Sequence, residues 1–237
     1  MNERFKRSAI LLGNAAMEKL QKANVLLFGI GGVGASLAEA LARSGVGSIT
    51  LVDNDTVSVS NINRQIIATD ETVAMKKTEA MKERIHLINP ECKVTTYNLF
   101  YLPDADDIIT KEYDYVADAI DTVTAKIDII MKAKALDIPV ISSMGTGNKL
   151  HPELLKIENL HNTSVCPLCR VMRTELKKRG ITDVTVVYSK EIPRKPLQND
   201  IENSPGKRQT PGSVSFVPPA AGLLMASRII QDITGEK

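Results

Sequence analysis

Apolar residues along this chain fall into short unbroken runs separated by stretches with helical spacing. Residues 24–29, Asn-Val-Leu-Leu-Phe-Gly, are continuously apolar after the first position, the pattern of a strand buried on both faces of a parallel sheet. Val33, Leu37 and Leu41 follow at four-residue spacing, which predicts a helix with one apolar stripe. Gly45 and Gly47 end it, and 48–52 reads as the second strand. Residues 70–89 predict a second helix, with Thr69 or Asp70 as N-cap and Asn89-Pro90 as the stop. Strands are predicted at 93–97, 113–117 and 138–142, with a helix through Ile127, Ile130 and Lys134 between the last two. A short amphipathic segment, 10–20, precedes them all. This β-α-β-α-β order predicts an α/β fold, a Rossmann-type doubly wound and mostly parallel sheet, over residues 1–150.

Beyond about residue 147 the pattern changes. Two strands, 154–160 and 184–189, flank a charged helix at 166–179, and a final helix is predicted over 219–233. Between them the Pro/Gly/Lys-rich stretch 192–212 reads as a loop, disordered or ordered on binding. Residues 151–237 are therefore expected to form a smaller C-terminal extension, for substrate binding and dimerisation, packed on the same sheet.

Composition narrows the class only a little. The chain has 237 residues, 43% hydrophobic and 24% charged, with a net charge of +2, as in ordinary globular proteins. Three cysteines, Cys92, Cys166 and Cys169, are an odd count that speaks against a secreted disulfide framework and suits a reducing cytoplasm. The N-terminal apolar run is too short for a signal peptide, and 216–226 contains two prolines and is too short to span a bilayer. A soluble, cytoplasmic protein without a membrane partner is expected. Charge is uneven: residues 170–208 hold ten Lys/Arg against five Asp/Glu. That excess reads as a solvated helix and flexible loop, or as a polyanion-binding edge if the site calls for nucleic acid.

Gly29-Ile-Gly31-Gly32-Val-Gly34 is G-x-G-x-x-G between a predicted strand and helix. The first glycine permits a tight turn, the second lets backbone approach a phosphate, and the third lets helix and strand pack closely. Asp53, 24 residues after Gly29 at the end of the second strand, is placed to bond ribose hydroxyls. These features predict a nucleotide without choosing it, and an NAD-dependent dehydrogenase is the commoner owner of the motif.

Other residues favour ATP. Asn61-Ile-Asn63-Arg64-Gln65 brings amides and a guanidinium just past the second strand, Lys77 lies on the next predicted helix, and Asp121 follows the fourth strand. The carboxyl ends of parallel strands share one crevice, so these residues can converge. A triphosphate with departing pyrophosphate needs several cations and a metal, more than a dinucleotide does. Arg64 and Lys77 suit the phosphates, and Asp121 suits Mg2+. Neither a Tyr-x-x-x-Lys pair nor a G-x-x-x-x-G-K-[ST] loop occurs. His86, His151 and His161 have no recognisable spacing and read as surface or satisfied residues.

Taken together, Arg4-Phe-Lys-Arg7, the glycine loop, Leu51-Val-Asp53-Asn-Asp55, residues 61–65, Lys77 and Asp121 resemble the ubiquitin-activating-enzyme-like adenylyltransferases. The resemblance implies that Asp53 holds ribose, that Asn61, Arg64 and Lys77 hold phosphates, and that Asp121 holds Mg2+. It also implies that Arg7 reaches into the partner's site of a homodimer. Carrier-protein activators of this superfamily usually hold zinc with two C-x-x-C pairs. Here Cys166-Pro-Leu-Cys169 stands near the place of the first and no cysteine follows it, so four thiolates cannot be assembled within one chain. The pair reads first as two buried small residues at a helix start, with an intersubunit zinc site or a redox pair as alternatives. The C-terminal part, through Cys166-Pro-Leu-Cys-Arg-Val-Met-Arg and 212–222, is similar to the tRNA threonylcarbamoyladenosine dehydratases. Membership of that branch implies adenylation of a side-chain carboxylate beside the anticodon and ring closure with loss of water. The second reading is an activator of a ubiquitin-like sulfur carrier, with Cys166 or Cys169 relaying sulfur and a cysteine desulfurase system as partner.

Overall fold

The unbroken apolar runs form the middle of a seven-stranded sheet in the computed structural model, which describes residues 2–103, 107–198 and 211–236. The strands are β1 (Asn24–Phe28), β2 (Ser48–Val52), β3 (Lys93–Tyr97), β4 (Tyr115–Asp118), β5 (Val140–Ser143), β6 (Leu155–Asn159) and β7 (Thr185–Ser189). Their order is β3-β2-β1-β4-β5-β7-β6. Every pair is parallel except β6 with β7, so the expected doubly wound α/β sheet is present. The C-terminal strands extend that same sheet beyond β5.

Seven helices cover the sheet among the described residues: α1 (Lys6–Leu12), α2 (Asn14–Lys22), α3 (Gly32–Arg43), α4 (Lys77–Ile88), α5 (Val123–Ala135), α6 (Pro167–Lys178) and α7 (Val217–Thr234). Because successive strand residues point to opposite faces, β1 feeds two cores at once. Val25 and Leu27 pack with Leu37 and Leu41 of α3, Met81 of α4 and Met225 of α7. Leu26 and Phe28 pack with Ile129 and Ile130 of α5 and Met172 of α6. Burial on both faces is why β1 carries no alternation.

The N-terminal amphipathic segment forms two helices broken at Gly13, whose φ of +81° is left-handed backbone that glycine adopts without a Cβ clash. One expectation needs correction. The helix expected from residue 70 begins only at Lys77, so neither Thr69 nor Asp70 caps it. Instead the Thr72 hydroxyl donates to the Ile67 carbonyl (2.6 Å) and accepts from the Thr69 N–H (2.9 Å). A hydroxyl that satisfies nearby backbone groups favours turns over helix. Ala74 then turns at φ +72°, and Lys76 bridges to Thr56.

Candidate functional site

The glycine loop runs from β1 into α3 at the carboxyl end of the sheet. At Gly29 φ is +87°, and a Cβ there would sit 2.8 Å from the Ala119 carbonyl carbon. A Cβ on Gly34 would lie 1.8 Å from the Gly29 oxygen, and one on Gly32 would lie 2.9 Å from Pro218 Cβ. Gly31 differs, because a Cβ there would meet nothing within 4 Å. Packing demands three of the glycines, while the fourth faces open space at the amino end of α3. The first N–H groups of a helix have no partners within it and, with its dipole, favour an anion.

That open space belongs to a cleft of about 570 Å³. Gly29, Gly31, Gly32, Asp53, Asn61, Arg64, Lys77 and Asp121 all line it, so strand ends far apart in sequence converge as expected. Asp53 Oδ2 accepts the Ile30 N–H (2.6 Å) and Oδ1 accepts the Asp55 N–H (2.8 Å), tying the end of β2 to the glycine loop. Lys77, at the start of α4, is buried and places its ammonium 2.7 Å from Asp55 Oδ2. Arg64 donates to the Ser60 carbonyl (2.9 Å) and Asn63 Oδ1 (2.8 Å). Asn61 Oδ1 accepts the Ser58 N–H (3.2 Å) in a capping box, so this oxygen serves the local fold.

Two predicted residues lie off the cleft wall. Gly34 is packed behind the loop. Arg7 is exposed on α1, and its neighbour Phe5 packs near Gly45, at the amino ends of the strands. A larger hollow of about 880 Å³ opens there, between the N-terminal segment, α2 and residues 89–93; it has no glycine loop.

Gln65, one of the amides expected past the second strand, is buried on the cleft wall with its Oε1 unpartnered among the described residues. The structure adds residues that the spacing did not single out. Pro211, Ser213 and Pro218 close one side of the cleft. Their strap is fixed by Asn63 Nδ2 donating to the Ser213 carbonyl (3.1 Å) and by the Gly212 N–H donating to Asn148 Oδ1 (2.7 Å). Tyr101, which also lines the cleft, donates to Asp128 (2.7 Å). Burial and this acceptor push its phenol well above the ordinary range, so it stays neutral. The wholly buried Asp118 and Lys126 lie beneath the floor. Asp118 lies three residues before Asp121, but nothing in its type foretold burial.

Cys166 and Cys169 are both buried at the start of α6, as the first reading of the pair expected. The two neighbouring thiols act on each other, so that Cys166 is lowered by its interaction with Cys169 while Cys169 is raised by Cys166 and by burial. Among the described residues no group of three or more His, Cys, Asp and Glu is placed to hold a metal. None of the three histidines lines the cleft. No helix among the described residues is long and apolar enough to cross a membrane. The loop expected at 192–212 has no regular structure at 192–198 or 211–212, and residues 199–210 lie outside the described residues.

A doubly wound sheet with a glycine loop, a carboxylate at the end of β2 and two cations and a further carboxylate around one cleft defines a nucleotide-binding α/β protein. The chain belongs to the ThiF family, whose model matches residues 5–237. It is 40% identical to the tRNA threonylcarbamoyladenosine dehydratase of Bacillus subtilis, over 98% of this chain and 95% of that one. Identity to the enzyme of the same name from Escherichia coli is 39%, over 80% of this chain and 74% of that one. The crystal structure of E. coli tRNA N6-threonylcarbamoyladenosine dehydratase in complex with AMP superposes with a TM-score of 0.88 at 35% identity, covering 99% of this chain and 95% of that one. A second structure of that enzyme holds ATP, with the same TM-score at 34% identity.

Proposed function

We propose that this protein is an ATP-dependent tRNA threonylcarbamoyladenosine dehydratase. ATP is a substrate, and the side-chain carboxylate of the modified adenosine beside the anticodon attacks its α-phosphorus. An acyl-adenylate forms and pyrophosphate leaves. A nucleophile within the modification then displaces AMP and closes a ring, so that the net change in the nucleoside is loss of water. What carries the reading is the unfilled space over Gly31, in one cleft with Lys77, Arg64 and Asp121.

In this mechanism Asp53 accepts from the ribose hydroxyls, while Asn61, Arg64 and Lys77 contact the phosphates. Lys77 exchanges its bond to Asp55 for a phosphate oxygen, and Gly29, Gly31 and Gly32 give backbone room for the anion. The Asp121 carboxylate is exposed on the cleft and makes no hydrogen bond among the described residues. One such carboxylate beside substrate phosphates fits Mg2+, which keeps several waters and takes few protein ligands. Bound there, Mg2+ would neutralise charge on the departing pyrophosphate. The protein's task is then in-line positioning and charge neutralisation, with Arg7 of a second subunit completing the set in a homodimer. No thiol is needed when the nucleophile lies within the substrate.

The C-terminal extension supplies the tRNA contacts, and its basic excess suits a polyanion. A tRNA substrate and three free cysteines agree with work in the cytoplasm. Incubation with ATP and either bulk tRNA or a ubiquitin-like carrier, the latter with a desulfurase system to supply the sulfur that displaces AMP, tests the assignment. AMP release provoked by tRNA supports it, and release provoked only by the carrier rejects it.

A further inference from the structure

Beneath the cleft floor, Lys126 and Asp118 form an ion pair at 2.9 Å with both side chains 0% exposed. Removing two charges from water is costly, and a well-packed apolar pair is often as stable or more so. Stability alone therefore gives little reason for this pair, and its bonds suggest another. Asp118 Oδ1 accepts the N–H of Ile120 (3.2 Å), while Lys126 Nζ donates to the carbonyl of the same residue (2.9 Å). Ser142 donates to Asp118 Oδ2 (2.5 Å) and fixes the carboxylate from the neighbouring strand. Ile120 is thus gripped at both peptide groups, and the next residue is Asp121. The same segment abuts the phosphate loop, since a Cβ on Gly29 would lie 3.0 Å from Ile120 Cγ2.

We propose that Lys126 and Asp118 are positioning residues that hold Ile120 at both its N–H and its C=O, so that the Asp121 carboxylate meets the metal-loaded nucleotide in a fixed place. The inference rests on the proposed function, in which Asp121 is the metal carboxylate. Lys126 acts only through the backbone and touches no substrate.

Lys126→Met alone strands a buried carboxylate, so the informative protein is Lys126→Met combined with Asp118→Asn. It removes both charges and the donor to the Ile120 carbonyl while nearly conserving volume. Calorimetry of the full chain with ATP alone, and with ATP at increasing Mg2+, supplies a readout apart from turnover. The double variant is expected to melt near the parent temperature and to bind ATP without metal as the parent does. Its Mg2+-dependent gain in ATP affinity should fall about 10- to 100-fold, the usual effect of losing a residue that orients a metal ligand, and Lys126→Arg should recover part of it. A folded double variant with the parent's Mg2+ dependence overturns the proposal. Should the double variant fail to fold, amide exchange in the parent decides: protection of the Ile120 N–H supports the grip, and exchange at the rate of a free loop amide overturns it. Failure of the parent to bind ATP would instead strike the functional assignment.

Discussion

A methyl group on Gly31 would enter open space, whereas one on Gly34 would land 1.8 Å from the Gly29 oxygen. Gly31→Ala is therefore expected to fold with a loss under about 1 kcal/mol, the scale of changing a helix N-cap, yet to lose ATP binding because the methyl occupies the anion's place. Gly34→Ala should destabilise by about 3 kcal/mol or more, since the clash is with backbone that cannot step aside. Paired melting and calorimetry separate the two, and a Gly31→Ala protein with intact ATP affinity would move the phosphates elsewhere. Lys77→Ala and Asp121→Ala are each expected to abolish ATP–pyrophosphate exchange, while Cys166→Ser leaves it largely intact. Complete loss in the cysteine variant would reject a thiol-free route.

Between elements, Glu39 of α3 takes hydrogen bonds from Arg43 in its own helix (2.8 Å) and from Arg84 in α4. Burial raises the Glu39 carboxyl, but the two guanidinium groups outweigh it and hold the group below its ordinary value of 4.5. A lowered folded pKa gives stability that is present above the unfolded value and lost as pH falls through the folded one. Glu39→Gln should cost about 1 kcal/mol at neutral pH, as for a partly exposed pair. The gap to the parent should begin to close below about pH 4.5; urea melts at neutral and acid pH measure it, and a gap that grows in acid would contradict it. The central elements were legible because strands such as β1 are buried on both faces and their helices carry a single stripe. The start of α4 was not, because a threonine hydroxyl and a bridge to Thr56 divert the backbone, and both depend on neighbours that spacing does not encode. In the site, the order of residues after the strands anticipated that Asp53, Arg64, Lys77 and Asp121 would line one cleft, because segments leaving the carboxyl ends of a parallel sheet share one crevice. That order missed the strap at 211–218 and the Lys126–Asp118 pair, which only the folded sheet brings under the cleft.

At the scale of the whole molecule, Arg7 lies away from its own cleft, and the proposed homodimer would give it a role in the neighbouring one. Mixing inactive Arg7→Ala protein with inactive Asp121→Ala protein should then restore part of the activity, because each mixed dimer keeps one complete site. Mixtures as dead as their components would confine catalysis to single chains. Under the proposed function, one cleft uses ATP to drive water out of a modified adenosine in tRNA. Mass spectrometry of anticodon-loop nucleosides, before and after treatment with the protein, ATP and Mg2+, tests this most directly. Loss of one water from threonylcarbamoyladenosine, with AMP and pyrophosphate released in step, is the expected result. An unchanged nucleoside under conditions where a carrier protein provokes AMP release would contradict it.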